Sequence, residues 1–171
     1  MKRLILVVGP NGTGKSASCK ALVERLPKSA YIDSDYCRYM NPFSFSDEEI
    51  DVVISNISTM MINYFQLSTI ENVIFPYGFH GVRKQIFNSI LNKLAASNIA
   101  YTLCPFILEC SLEENIKRMQ KDGRDEERIN RAIQKTRGIY SGYSYPRIDT
   151  TYLTPEETAE RIEQAIEVHK E

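Results

Sequence analysis

The sequence predicts an α/β fold in which a five-stranded parallel sheet lies between two layers of helices, a three-layer sandwich. Two observations carry this expectation. Short apolar runs alternate five times with stretches of helical periodicity, and the first run ends at a glycine-rich turn that opens a helix. At 171 residues the chain can bury roughly 70% of its unfolded surface, so one domain over residues 1–171 is expected, without disulfides or a structural metal.

Each element carries its own signal. Lys2 to Val8 reads KRLILVV and stops at Gly9, which suits a central strand buried on both faces. Ser16 to Leu26 sets Ala17, Ala21, Leu22 and Leu26 at helical spacing before Pro27 ends it. Ala30 to Ile32 is a second strand, leading into Asp33-Ser34-Asp35. Asp47 to Leu67 carries a single stripe of Ile50, Val53, Ile54, Ile57, Met61 and Phe65. Val73 to Phe75 is a third strand, closed by Pro76-Tyr77-Gly78, and Val82 to Ala96 returns to helix with Ile86, Ile90, Leu91 and Leu94 buried. Ala100 to Leu108 is the fourth strand, in which Pro105 requires a bulge or an edge. Ser111 to Glu114 forms a capping box that starts another helix. Ile148 centres a weak fifth strand. Thr154-Pro155-Glu156-Glu157 is a second capping box with proline at the first helical position, followed by Ala159, Ile162, Ala165 and Ile166.

Hydrophobic residues make up 43% and charged residues 25%, the balance of a packed globular chain. The 21 basic and 22 acidic residues leave a net charge of −1, which argues against a general nucleic-acid binder. Leu4 to Val8 is the longest apolar stretch and cannot span a bilayer, and no signal-peptide pattern precedes it. Cys19, Cys37, Cys104 and Cys110 lack CxxC spacing, so reduced thiols in a cytoplasmic protein are expected, with Cys19 a small core residue.

The chemistry concentrates in Gly9-Pro10-Asn11-Gly12-Thr13-Gly14-Lys15-Ser16, which matches GxxxxGK[ST] directly after a strand and at the opening of a helix. In such a phosphate loop the backbone N–H groups from Gly9 through Gly14 curl around phosphate oxygens, helped by the helix dipole. Lys15 reaches the β- and γ-phosphates of ATP, and the Ser16 hydroxyl binds Mg²⁺. The Asn-Lys-x-Asp segment by which GTPases read their base is absent from the sequence.

Asp33 and Asp35 fall at the carboxyl end of the second strand, the edge on which parallel α/β sheets bind ligands. On an extended backbone the two carboxylates point the same way. Asp33 is then the candidate for magnesium and Asp35 the candidate to orient or deprotonate an acceptor hydroxyl, with Arg38 available to an anion. Lys117 to Arg131 holds ten charged residues in fifteen and is broken at Asp122-Gly123. A short flap closing over ATP there brings Arg118 and Arg124 to the moving phosphoryl group, against the simpler reading of a solvated helix face. Gly78 and His80, after the third strand, are candidate acceptor contacts. Tyr140, Tyr143, Tyr145 and Tyr152 are expected to pack with their hydroxyls outward, and His169 to meet the dipole of the last helix.

These motifs resemble the small P-loop kinases, the superfamily of shikimate, gluconate, nucleoside-monophosphate and adenosine-phosphosulfate kinases. GPNGTGKS is similar to their phosphate loop, IDSDYCR to their Asp-x-Asp segment followed by arginine, and RMQKDGRDEE to a short arginine-bearing LID at about 118–128. IDTTYLTPEETAERI resembles the final strand and helix that border adenine. Arg137 to Tyr140 resembles the Arg-x-x-Tyr of shikimate kinases, which implies that Arg137 binds an acceptor carboxylate. Two departures leave the acceptor open: Pro76 to Gly81 stands where shikimate kinases carry a glycine triplet, and Met40 to Thr59 has no arginine. The resemblance implies a P-loop NTPase fold and transfer of the γ-phosphoryl of ATP to a small molecule. Phosphorylation of a nucleoside, a nucleotide or a polynucleotide 5′ end, and a nucleotide-binding module without turnover, remain alternatives.

Overall fold

The computed structural model describes residues 1–168. His169 lies outside the described residues. The five strands are β1 (Arg3–Val8), β2 (Ser29–Tyr31), β3 (Asn72–Pro76), β4 (Thr102–Glu109) and β5 (Arg147–Asp149). They form one sheet in the order β2-β3-β1-β4-β5, with every pair parallel. The helices are α1 (Lys15–Arg25), α2 (Asp47–Gln66), α3 (Arg83–Ala96), α4 (Leu112–Lys121), α5 (Glu126–Thr136) and α6 (Pro155–Val168). The expected strands and helices are all present, with ends within two residues of the sequence signals.

Strand periodicity divides the core. Leu4, Leu6 and Val8 join the side chains of α2 and α3 on one face, while Ile5 and Val7 join α1 and α6 on the other. All five are completely buried, as the unbroken apolar run required. Cys19 is likewise buried in the second cluster, and all four cysteines are free thiols. Among the described residues no helix is long and apolar enough to cross a membrane.

Pro105 is tolerated because of where β5 ends. Ile107 donates its N–H to Pro146 O on the β5 side, so Pro105, two residues earlier, turns its missing N–H to that same side. Pairing with β5 begins only at Ile107, and no ladder bond is lost. The two expected capping boxes differ. Thr154 and Glu157 exchange both bonds. At Ser111 only the hydroxyl half forms, because the Glu114 carboxylate has turned to Arg118. Gly123, with φ +73, sits in the turn that separates α4 from α5.

Candidate active site

The carboxyl ends of the strands open into a cleft of about 920 Å³. Its floor is the loop Gly9–Gly14 between β1 and α1, lining the cleft from Asn11 onward, together with Lys15 and Ser16 at the start of α1. The loop begins where only glycine fits: a Cβ on Gly9 would lie 2.2 Å from the Leu108 carbonyl oxygen. It ends at Gly14, the N-cap of α1, whose φ of +88 favours glycine. The first turn of α1 holds no acidic residue and the cap has no side-chain acceptor, so the N–H groups at the start of α1 face the cleft.

Lys15 Nζ donates to Gly9 O at 2.8 Å and to Pro10 O at 2.7 Å. Burial pushes its pKa down to about 8, and the nearby guanidinium groups of Arg124 and Arg83 push in the same direction. An arriving polyphosphate would relieve each of these penalties. Thr13, fully buried, donates to Pro10 O at 2.9 Å and braces the loop from within.

From outside the loop is held by residues distant in sequence. Asn115 Nδ2 donates to Asn11 O at 2.7 Å, and the Asn11 N–H donates to Thr136 Oγ1 at 3.1 Å. The buried Thr150 hydroxyl donates to Thr13 O at 3.2 Å. Arg118 is drawn into this brace: Nε donates to Glu114, Nη1 to Thr150 Oγ1 at 3.0 Å and Nη2 to Thr150 O at 2.6 Å. Its guanidinium borders the cleft with most of its donors already engaged.

The Tyr140 hydroxyl accepts N–H donors from both Gly9 and Phe79, the latter at 3.0 Å. It points inward and is almost fully buried, contrary to the expectation of an outward hydroxyl. The reason is a demand for acceptors. Gly9 lies just past β1 and Phe79 three residues past β3, and the hydroxyl serves their buried backbone N–H groups where the strands have ended.

Beyond the end of β2, Asp33, Asp35 and Arg38 all line the cleft. The backbone between the carboxylates is not extended, however. Asp35 is helical (φ −72, ψ −36), and Asp33 Oδ1 accepts the Asp35 N–H at 2.9 Å to close a tight turn. The two side chains therefore diverge in partners. Asp33 Oδ2 accepts from Tyr31 at 3.4 Å, whereas Asp35 Oδ1 accepts from Arg38 Nη2 at 2.5 Å. Gly78 and His80 also border the cleft, and burial, followed by the Arg83 charge, lowers the His80 pKa to about 4. The imidazole is thus neutral at ordinary pH. Arg124 reaches the cleft half-buried, 4.0 Å from Asp122.

Arg137 does not join them. It donates to Asn115 Oδ1 and Cys110 O, both at 3.1 Å, and lines a separate small cavity behind the phosphate loop. The contact with an acceptor carboxylate implied by Arg-x-x-Tyr has no geometric basis here, because these internal acceptors occupy its fork. Two cleft residues carried no motif of their own: Tyr77 and Arg83, the latter the first residue of α3. A basic residue opening the helix after Pro76–Gly81 was the available signal for Arg83.

The donors also suit a divalent ion. Ser16 and Asp33 both line the cleft, and the Tyr31 hydroxyl donates to Asp33 there, so a serine hydroxyl and a carboxylate border the space beside the phosphate loop. Hard oxygen donors of this kind fit Mg²⁺, which takes one or two protein ligands and completes its shell from phosphates and water.

A family profile described as AAA domain matches residues 5–137, from the first strand through the cluster around Arg137. The chain belongs to the AAA-domain family. No curated protein sequence matches it. Solved structures that share its fold include the tunicamycin resistance protein of Deinococcus radiodurans, at TM-score 0.64 and 19% identity over 97% of this chain and 96% of that one. The shikimate kinase of Aquifex aeolicus superposes at TM-score 0.59 and 15% identity, covering 98% of each chain. The adenosine-phosphosulfate kinase of Mycobacterium tuberculosis, in complex with AMPPNP and APS, gives 0.60 and 15% over 97% and 98%. The parallel sheet and flanking helices of this AAA-domain chain share the fold of these two solved kinase structures.

Proposed function

We propose that this protein is an ATP-dependent phosphotransferase that moves the γ-phosphoryl of ATP to a hydroxyl of a small-molecule acceptor. One observation carries the reading: Lys15 and Ser16 of the phosphate loop, Asp33 and Asp35 after β2, and Arg124 after α4 border a single cleft. Donor and acceptor groups that share one cavity can hold two substrates in line, and positioning is most of what phosphoryl transfer requires.

In this reading the backbone N–H groups of the loop and Lys15 bind the β- and γ-phosphates. Ser16 and Asp33 hold Mg²⁺, which neutralises charge on the phosphate oxygens. Asp35 orients the acceptor hydroxyl and takes its proton as the acceptor oxygen bonds to the γ-phosphorus. The bond from that phosphorus to the β,γ-bridging oxygen breaks, and ADP leaves with the electron pair. Residues 118–128 act as a short LID over the one domain, and Arg124 meets the charge that builds on the leaving oxygens. Neutral His80 can exchange hydrogen bonds with acceptor hydroxyls without adding charge.

A coupled ADP-release screen over shikimate, sugars, gluconate, nucleosides, nucleotides and aminoglycosides tests this. Acceleration above basal ATP hydrolysis by at least one hydroxyl compound is expected. Nucleotide binding with no compound accelerating turnover would return the protein to a non-catalytic nucleotide-binding module.

A further inference from the structure

The phosphate loop is gripped at one residue from two sides. The Asn11 carbonyl accepts from Asn115 Nδ2 at 2.7 Å, and the Asn11 N–H donates to Thr136 Oγ1 at 3.1 Å. Asn115 belongs to α4 and Thr136 ends α5, and both are almost fully buried. The next residue leaves no slack: a Cβ on Gly12, whose φ is +81, would lie 2.6 Å from Asn115 Nδ2 and 2.7 Å from Met119 Cγ. Gly9 directs its N–H to Tyr140, Pro10 has none and Asn11 directs its own to Thr136. The loop N–H groups left for phosphate therefore begin at Gly12, and Asn11 is the anchor immediately before them.

An amide can hold that carbonyl in only one of its two orientations. Turned over, Asn115 would set Oδ1 against the Asn11 oxygen, acceptor to acceptor. Arg137 decides between the two. Its guanidinium has donors only; Nη1 reaches Asn115 Oδ1 at 3.1 Å while Nη2 is fixed on Cys110 O at 3.1 Å. Oδ1 therefore faces Arg137, and Nδ2 faces the loop. Among the described residues Arg137 has no carboxylate partner to draw it from this amide. Its charge sits behind the loop, in the cavity of about 150 Å³ that Pro10 and Cys110 also line, and neither Arg137 nor Asn115 borders the cleft.

We propose that Arg137 and Asn115 are positioning residues for the donor nucleotide. Arg137 fixes the orientation of the Asn115 amide, and the amide holds Asn11 so that the N–H groups from Gly12 onward are set for the β- and γ-phosphates before ATP arrives. Donors held in place beforehand avoid the ordering cost that a loose loop would carry. The assignment rests on the donor half of the proposed reaction, ATP in the phosphate loop, and is indifferent to the acceptor.

A double-mutant cycle on nucleotide affinity separates this role from a charge effect. Asn115→Leu keeps the volume and removes both amide bonds, and Arg137→Met keeps the stem and removes the guanidinium. Titrated with magnesium AMPPNP in a calorimeter, each single variant should bind at least about ten-fold more weakly than the wild type. The double variant should lose no more than about two-fold beyond the weaker-binding single, because both changes release the same carbonyl. In the ADP-release assay KM for ATP should rise by a similar factor with kcat changed less than about three-fold, a split that a merely structural role would not produce. Losses that multiply in the double variant would mean that Arg137 acts on the phosphates by its charge, and unchanged affinity in either single variant would make the network ordinary packing; either result overturns the proposal. Melting temperature is the control for folding. Where a variant melts below the assay temperature, Asn115→Asp replaces it, since it keeps an acceptor for Arg137 and loses only the donor. Its loss relative to the wild type should persist at about 0.5 M salt, where a purely Coulombic repulsion is screened, and wild-type affinity there overturns the proposal. A wild-type protein that binds no AMPPNP would overturn the nucleotide reading and this assignment together. Coupled losses of affinity without phosphoryl transfer to any hydroxyl compound would support the positioning role and refute the phosphotransferase reading instead.

Discussion

In the proposed reaction Asp35 and Lys15 concentrate the chemistry into single side chains. Asp35→Asn keeps the shape and the oxygen that Arg38 contacts but removes the charge that would take a proton. ATP affinity should change by less than about two-fold while kcat falls roughly 10²-fold or more, the range of an acid–base group. Steady-state kinetics with titrated AMPPNP measure both, and normal turnover by this variant would move the base elsewhere. Lys15 gives a pH dependence whose sign can be worked out. Its pKa falls from an ordinary 10.5 to about 8 in the folded chain. Between those values the folded state binds fewer protons than the unfolded state, so folding stability rises with pH across that window. ATP needs the charged ammonium, so its apparent Kd should weaken over the same window, by up to about ten-fold per pH unit. Calorimetric ATP titration from pH 7 to 10 measures this, and a flat affinity would separate Lys15 from phosphate binding.

At the scale of elements, the turn between α4 and α5 decides whether the charged stretch is a flap or a solvated face. Arg124 is half-buried at the cleft, whereas Arg128 and Arg131 are exposed and pair with Asp125 and Glu127 on their own helix. The stretch is thus divided: its first part edges the cleft and its second is a solvated face. Arg124→Ala should lower kcat ten-fold or more, about 1.4 kcal/mol, with a smaller loss in ATP binding, because its charge matters most as the phosphoryl group moves. Equal losses in both would signify an ordinary ground-state contact, and no loss would leave the flap without a role.

At the scale of the molecule, Tyr140 joins parts that the chain order keeps apart. Its hydroxyl serves the Gly9 and Phe79 N–H groups, and its carbonyl accepts from Arg147 Nη2 at 2.6 Å. The phosphate loop, β5 and the segment after β3 thus share one residue. Tyr140→Phe strips the acceptor from two buried donors and should cost about 1–3 kcal/mol. In a chain of this size that lowers Tm by roughly 3–10 °C, read by calorimetry. An unchanged Tm would mean that water or a backbone shift satisfies both donors.

The local signals were legible because their physics is local. The strand alternation, the phosphate loop and its lysine, the Asp-x-Asp pair and the break at Gly123 each depend on neighbours within a few residues. Pro105 already demanded a bulge or an edge in the sequence; that β5 starts late enough to leave its missing N–H unopposed is a fact of the sheet. Tertiary structure alone decided the remainder. The Asp33 turn, which redirects Asp35 toward Arg38, is the exception: it is local, a side chain capping its own backbone, and reading the segment as extended missed it. Arg118 and Arg137 were legible as charges but not as braces, because their acceptors, Thr150, Asn115 and Cys110, come from other segments. Arg83 and Phe45 lie far apart in sequence and meet only when α3 and the segment before α2 close over the sheet edge. A motif records which groups a chain has at one place; a cleft depends on which distant groups burial leaves without partners.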